Sequence, residues 1–179
     1  MKRVYLPLIL SLVLALEGVA LELLPSNLLR TDLLIVPHWV LVILVFLTIF
    51  YDYDSTYYSV MYALIFGLLV DIVYTDVLGV YMFSYALTIY AIHSMKKLLH
   101  GNIFVTVLLG AGGLVLSDIM IYLIYMIVGL TDTVWVDYLS SRLLPTVLSN
   151  LLFLLVLYPI LAKRLMNWRK EHINKDSML

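Results

Sequence analysis

From Ser59 to Gly79 the chain reads SVMYALIFGLLVDIVYTDVLG. The segment is apolar and long enough to enter a bilayer, yet Asp71 lies inside the apolar run. An acid among lipid tails costs at least about 2.5 kcal/mol, so such acids face a bundle interior. Reading back from Asp71 in steps of four gives Gly67, Ala63 and Ser59, so a helix here carries a stripe of three small residues and an acid. Small residues let another helix approach closely. Two uses are open: an internal packing face with the acid satisfied by a neighbour, or a surface for a partner helix.

The rest of the sequence sets the class. Of 179 residues, 64% are apolar and 13% charged. Apolar runs of about 18 residues recur along the chain, which is the signature of membrane spans and not of a soluble domain. With no cysteine, disulfides, thiolate catalysis and cysteine-ligated zinc or iron–sulfur centres are excluded. The expectation is an all-α integral membrane protein with six spans at about 4–24, 33–50, 57–74, 77–94, 103–128 and 142–161. Residues 1–162 then form the transmembrane domain, and 163–179 a basic cytoplasmic tail that could continue as a short helix. At about 20 residues per span, no room remains for a separate soluble domain.

A cleavable signal peptide competes for the first span, because Gly18-Val19-Ala20 offers small residues at cleavage spacing. Against it stand Glu17, the continuation to Leu24, and a packing stripe of Ser11, Ala15, Gly18 and Glu22. The second span is expected to enter through Pro37-His38-Trp39, with the Trp ring at an interface. The fifth opens with a face of Gly110, Gly112 and Gly113. A loop from Gly129 to Ser141 precedes the sixth, which contains Pro145 and Asn150. Six spans with the N-terminus inside put Lys2, Arg3, Lys96, Lys97, Lys163, Arg164, Arg169, Lys170 and Lys175 in the cytoplasm, leaving only Arg30 and Arg142 outside. That positive-inside bias makes both termini cytoplasmic.

Glu17, Asp71 and Asp118 fall in spans one, three and five, roughly 10, 5 and 15 Å from the outer ends. With Arg142 opening span six, they form a candidate polar cluster near the outer face; the alternative is that Ser, Thr or Tyr side chains such as Thr88 or Tyr122 satisfy each acid separately. An aspartyl-protease dyad of Asp71 and Asp118 lacks the tight glycine–acid pattern, and proton carriage lacks a basic or histidine relay within the spans. His38, His93, His100 and His172 are read as interfacial or solvated, without metal-ligand spacing. Lys96-Lys97 read as topology signals and headgroup contacts, and Trp168 beside Arg169-Lys170 as a dock for a cytoplasmic partner.

The run Gly67-Leu68-Leu69-Val70-Asp71, then six residues, then Leu78-Gly79, in a six-span chain with a basic loop after span four and a basic tail, resembles the rod shape-determining protein MreD family. The resemblance implies a non-enzymatic, cofactor-free component of the bacterial cell-elongation machinery in the cytoplasmic membrane. Its implied direct partner is MreC, and through the complex MreB, RodA and a class B penicillin-binding transpeptidase of lateral peptidoglycan synthesis. It also implies a fold similar to the substrate-binding S-components of energy-coupling-factor transporters, which supplies the alternative function, vitamin binding. Gly67, Asp71, Leu78 and Gly79 carry the motif, and Ser59 and Ala63 extend its stripe, in a structural or partner-binding role.

Overall fold

The computed structural model describes residues 5–23, 33–97 and 102–176, and within these every regular element is helical, with no strand. Helix α1 spans Tyr5–Leu23. Helix α2, Trp39–Phe46, runs on into a π-helical turn, Leu47–Tyr51. Helices α3, Tyr58–Tyr74, and α4, Val80–Lys96, form a hairpin. Helix α5 is Ile103–Ile127. A short α6, Trp135–Tyr138, passes through a π-helical segment, Leu139–Leu143, into α7, Leu144–Asp176. Two helical runs, Ile103–Ile127 and Trp135–Lys170, are long and apolar enough to cross a membrane; Tyr5–Ala20, Trp39–Tyr51 and Tyr58–Tyr74 are shorter apolar helices. Lys2, Arg3, Arg30, His100 and the Pro25-Ser26-Asn27 break lie outside the described residues.

The centre of the bundle is α2 and its π turn. Val40 through Tyr51 are all buried, and α1, α3, α4, α5 and α7 all pack on them. A helix that is apolar on every side belongs in such a position. Trp39 accordingly stacks on Phe153 of α7 at 4.6 Å, within the protein and not as a free interfacial anchor.

The second helix also begins later than the expected 33–50. Residues 33–38 have no regular secondary structure. Pro37 disfavours helical backbone at Val36, and the last helical run supplies the hydrogen bonds that a non-helical segment needs inside a bundle. Pro145 has no N–H to offer the carbonyl four residues back, and that Ser141 carbonyl accepts the Leu34 N–H at 2.8 Å. Thr146 Oγ1 accepts from Val36 N and donates to Leu34 O. Asn150 accepts from His38 N through Oδ1 and donates to Val36 O through Nδ2. The expected loop 129–141 is likewise partly helical, from Trp135 onward, and α7 carries the tail as one helix to Asp176.

Candidate functional site

The motif residues assemble at the α3–α4 hairpin. Asp71 is fully buried, on the last turn of α3. Its Oδ2 accepts from the N–H groups of Gly79 and Met82, at 2.9 and 3.0 Å, and its Oδ1 from Tyr81 at 2.9 Å. These donors belong to the first turn of α4, where N–H groups have no partner within the helix and the helix dipole favours an anion. Asp71 therefore caps α4 from a different helix. Gly67, one turn earlier, makes the approach possible: a Cβ there would lie 2.7 Å from Met82 Cα and 2.9 Å from Tyr81 O. Gly79 holds the cap position at φ +96°, a left-handed conformation that glycine adopts without strain. Ser59 and Ala63 are also fully buried, so the small-residue stripe faces the interior of its own chain. Leu78 alone among the motif residues is exposed, at 66%.

Glu17 does for α2 what Asp71 does for α4. It is buried on α1, and its Oε2 accepts from Val40 N, in the first turn of α2, at 3.1 Å. Gly18 beside it lets Tyr74 of α3 come close, and the Tyr74 hydroxyl donates to Leu14 O at 2.6 Å. Ser11, Ala15 and Glu22 of the proposed α1 stripe are exposed. Of the α5 glycines, Gly110 meets Leu154 of α7 and Gly113 meets Ile92 and Thr88 of α4, whereas Gly112 faces open space.

Asp118 anchors the second polar centre. It is fully buried on α5; Oδ1 lies 3.3 Å from both His38 Nε2 and Arg142 Nη2, and Oδ2 accepts from the Tyr138 hydroxyl at 2.6 Å. His38 Nδ1 is 2.9 Å from the Tyr85 hydroxyl. The cluster thus ties the 33–38 segment, α4, α5 and the start of the last helical run to one carboxylate. Of the four expected members it joins Asp118 and Arg142, while Glu17 and Asp71 serve helix starts elsewhere. Tyr138, not Thr88 or Tyr122, is the hydroxyl partner of Asp118; Tyr122 donates to Thr133 O.

Several assignments change. His38 and His93 are fully buried, not interfacial or solvated, and His38 is held between Asp118 and Tyr85 inside the bundle. Its only sequence signal is a Pro-His pair at the head of an apolar run. Lys96 is only 9% exposed, and its Nζ donates to Thr48 O and Asp52 O at 2.7 and 2.9 Å. It closes the carboxyl end of the α2 run, where a cation is favoured, and does not reach for headgroups. Asp52 Oδ2 in turn accepts from both the N–H and the hydroxyl of Ser59. Burial raises the Asp52 carboxyl above the usual range, despite those bonds from Ser59. Trp168 stacks on Tyr5, and Arg169 lies 4.7 Å over the Tyr53 ring whose hydroxyl donates to Arg169 O, so both residues are engaged within the chain. Among the described residues no three His, Cys, Asp or Glu side chains form a metal cluster.

The fold and these sites define a class: an apolar helical bundle of membrane type in which buried carboxylates hold helices and loops in place. The particular family follows from comparison. A family profile described as rod shape-determining protein MreD matches residues 2–168. The chain is 29% identical over 171 residues to the rod shape-determining protein MreD of Bacillus subtilis (strain 168), covering 96% of this chain and 98% of that protein. The chain belongs to the MreD family. No solved structure matches it.

Proposed function

We propose that this protein is a six-span, non-enzymatic scaffold of the bacterial cell-elongation complex, with both termini cytoplasmic, binding MreC directly and MreB, RodA and a class B penicillin-binding protein through the complex. Membership of the MreD family assigns it to rod shape determination and to the membrane. The observation that carries the scaffold reading is where the buried acids point. Glu17, Asp71 and Asp118 each bind backbone or side chains of their own chain, and the outward helix faces are apolar. A partner is then met through helix faces and short loops, and the Ser59–Ala63–Gly67–Asp71 stripe acts on that partner only by fixing the shape of the bundle. The S-component-like arrangement belongs to the same reading, supported by helices packed around a short buried α2.

The vitamin-binding alternative finds no support. Asp118 and Tyr85, Tyr122 and Tyr138 pack among themselves and their neighbours, and two grooves among the described residues are walled almost wholly by apolar side chains. The test is purification of the tagged protein from its native membrane in mild detergent, with mass spectrometry of proteins and small molecules. Recovery of MreC with elongation enzymes is expected. Recovery of a small-molecule ligand with an ATPase pair, and no MreC, would overturn the reading.

A further inference from the structure

The outer end of α5, the loop after it and α6 carry a run of apolar side chains that the fold does not cover. Ile127, Val128, Leu130, Val134 and Val136 are exposed, as is Trp135. Below them, between α5 and the last helical run, lies a groove of about 450 Å³ walled by Val115, Val136, Leu139, Leu143, Leu144 and Val147. Val136, 68% exposed, and Leu144, 60% exposed, join groove and loop into one surface. Ser140 also lines it, but its hydroxyl turns back to the Val136 and Asp137 carbonyls.

Charge lies on the loop side of this surface and not in its groove, whose lining holds no charged side chain. Asp132 and Asp137 are both exposed on it. The one basic residue of the stretch, Arg142, is already bound to Asp118. Two uncompensated acids beside an apolar patch oppose a seat among anionic headgroups and favour a cationic partner. A second groove, bounded by Ala20, Ile35, Pro37, Trp39, Leu152 and Phe153, likewise has no charged residue in its lining.

We infer that the α5–α7 groove and the acidic apolar loop 127–137 form the docking surface for a single transmembrane helix bearing a basic residue just beyond its outer end. The inference rests on the scaffold reading and names the face through which MreC is held. The helix lies along Val115, Leu143 and Val147, and its outer cation meets Asp132 and Asp137. These exposed acids contribute orientation and selectivity more than affinity.

The test places a photoreactive amino acid at Val136, Leu144 or Val147, and, for comparison, at Ala20 or Leu152, in protein co-expressed with MreC in native membranes. Cross-links to the MreC span are expected from the first three positions, about tenfold stronger than from the other two. Changing Asp132→Lys and Asp137→Lys together is expected to lower the Leu144 cross-link about fivefold, the effect of roughly two exposed ion pairs. Reversing the first basic residue after the MreC span is expected to restore it. Cross-links confined to Ala20 or Leu152, or unaffected by the double charge reversal, overturn the surface while leaving the scaffold reading in place. Failure of MreC to co-purify with the unsubstituted protein overturns both.

Discussion

The Asp71 carboxylate accepts the Tyr81 N–H at 2.9 Å across the α3–α4 hairpin, and with it the N–H groups of Gly79 and Met82. This relationship gives the Gly67–Asp71–Gly79 spacing its physical meaning. The first residue admits the backbone of α4, the second binds its N-terminus, and the third turns the chain into it. Asp71→Leu leaves three donors without an acceptor, that of Tyr81 buried and those of Gly79 and Met82 partly buried, and a buried one costs about 1–3 kcal/mol. The expected loss is about 2–4 kcal/mol in thermal or denaturant unfolding of the purified protein, whereas Asp71→Asn, which keeps one acceptor oxygen, loses less. Equal stability of the Leu variant and the parent would show that the cap is dispensable.

Two glycines separate close packing from mere flexibility. At Gly67 a methyl group meets backbone that cannot swing aside, so Gly67→Ala is expected to cost about 1–3 kcal/mol through overpacking. At Gly112 it meets nothing within 4 Å. Because alanine is the better helix former, Gly112→Ala is expected to be neutral or up to about 1 kcal/mol more stable. Unfolding curves of the two variants in the same detergent decide the matter, and a reversed order contradicts the contact geometry.

The Asp118 centre is a coupled unit, so its losses are not expected to add. Arg142→Gln removes a cation from a buried carboxylate and is expected to cost about 3 kcal/mol, as breaking a buried pair does. Adding Asp118→Asn removes the charge left behind and recovers part of that loss. A double-mutant cycle on unfolding free energy measures the coupling, with about 1–3 kcal/mol expected. Strict additivity would mean that the two groups at 3.3 Å act independently.

The class of the protein, its helices and the inward turn of Asp71 were readable because they depend on local properties: apolar length, small-residue spacing and the cost of an acid in lipid. The roles of Glu17, His38 and Lys96 were not. Each is set by a partner on another element, such as Val40 N for Glu17 and Thr48 O for Lys96, and beyond the Pro-His pair at His38 nothing in the flanking residues signals it. Nine basic residues against two set the expected orientation, yet the same rule read Lys96 as a headgroup contact, because charge counting does not distinguish a buried ammonium from an exposed one. The family motif singled out the residues of a helix cap without naming that role, while the Asp118–His38–Tyr138 centre has no comparable contiguous pattern.

The irregular segment 33–38 is the sharpest case, since a run of apolar residues ahead of α2 reads as helix and is held otherwise by α7, more than 100 positions away. Asn150 is the main tie, receiving from His38 N and donating to Val36 O. Asn150→Leu preserves the approximate volume but strands both groups inside the bundle, at about 1–3 kcal/mol each. The expected result is a loss of about 2–5 kcal/mol in global stability together with faster amide exchange at His38 than at residues in the middle of α5. Because the His38 ring reaches Asp118 and Tyr85 from this segment, loosening it is also expected to weaken the Arg142–Asp118 coupling in the cycle above. If exchange at His38 stays as slow as in the parent protein, the hydrogen bonds from α7 are not what holds the segment in place.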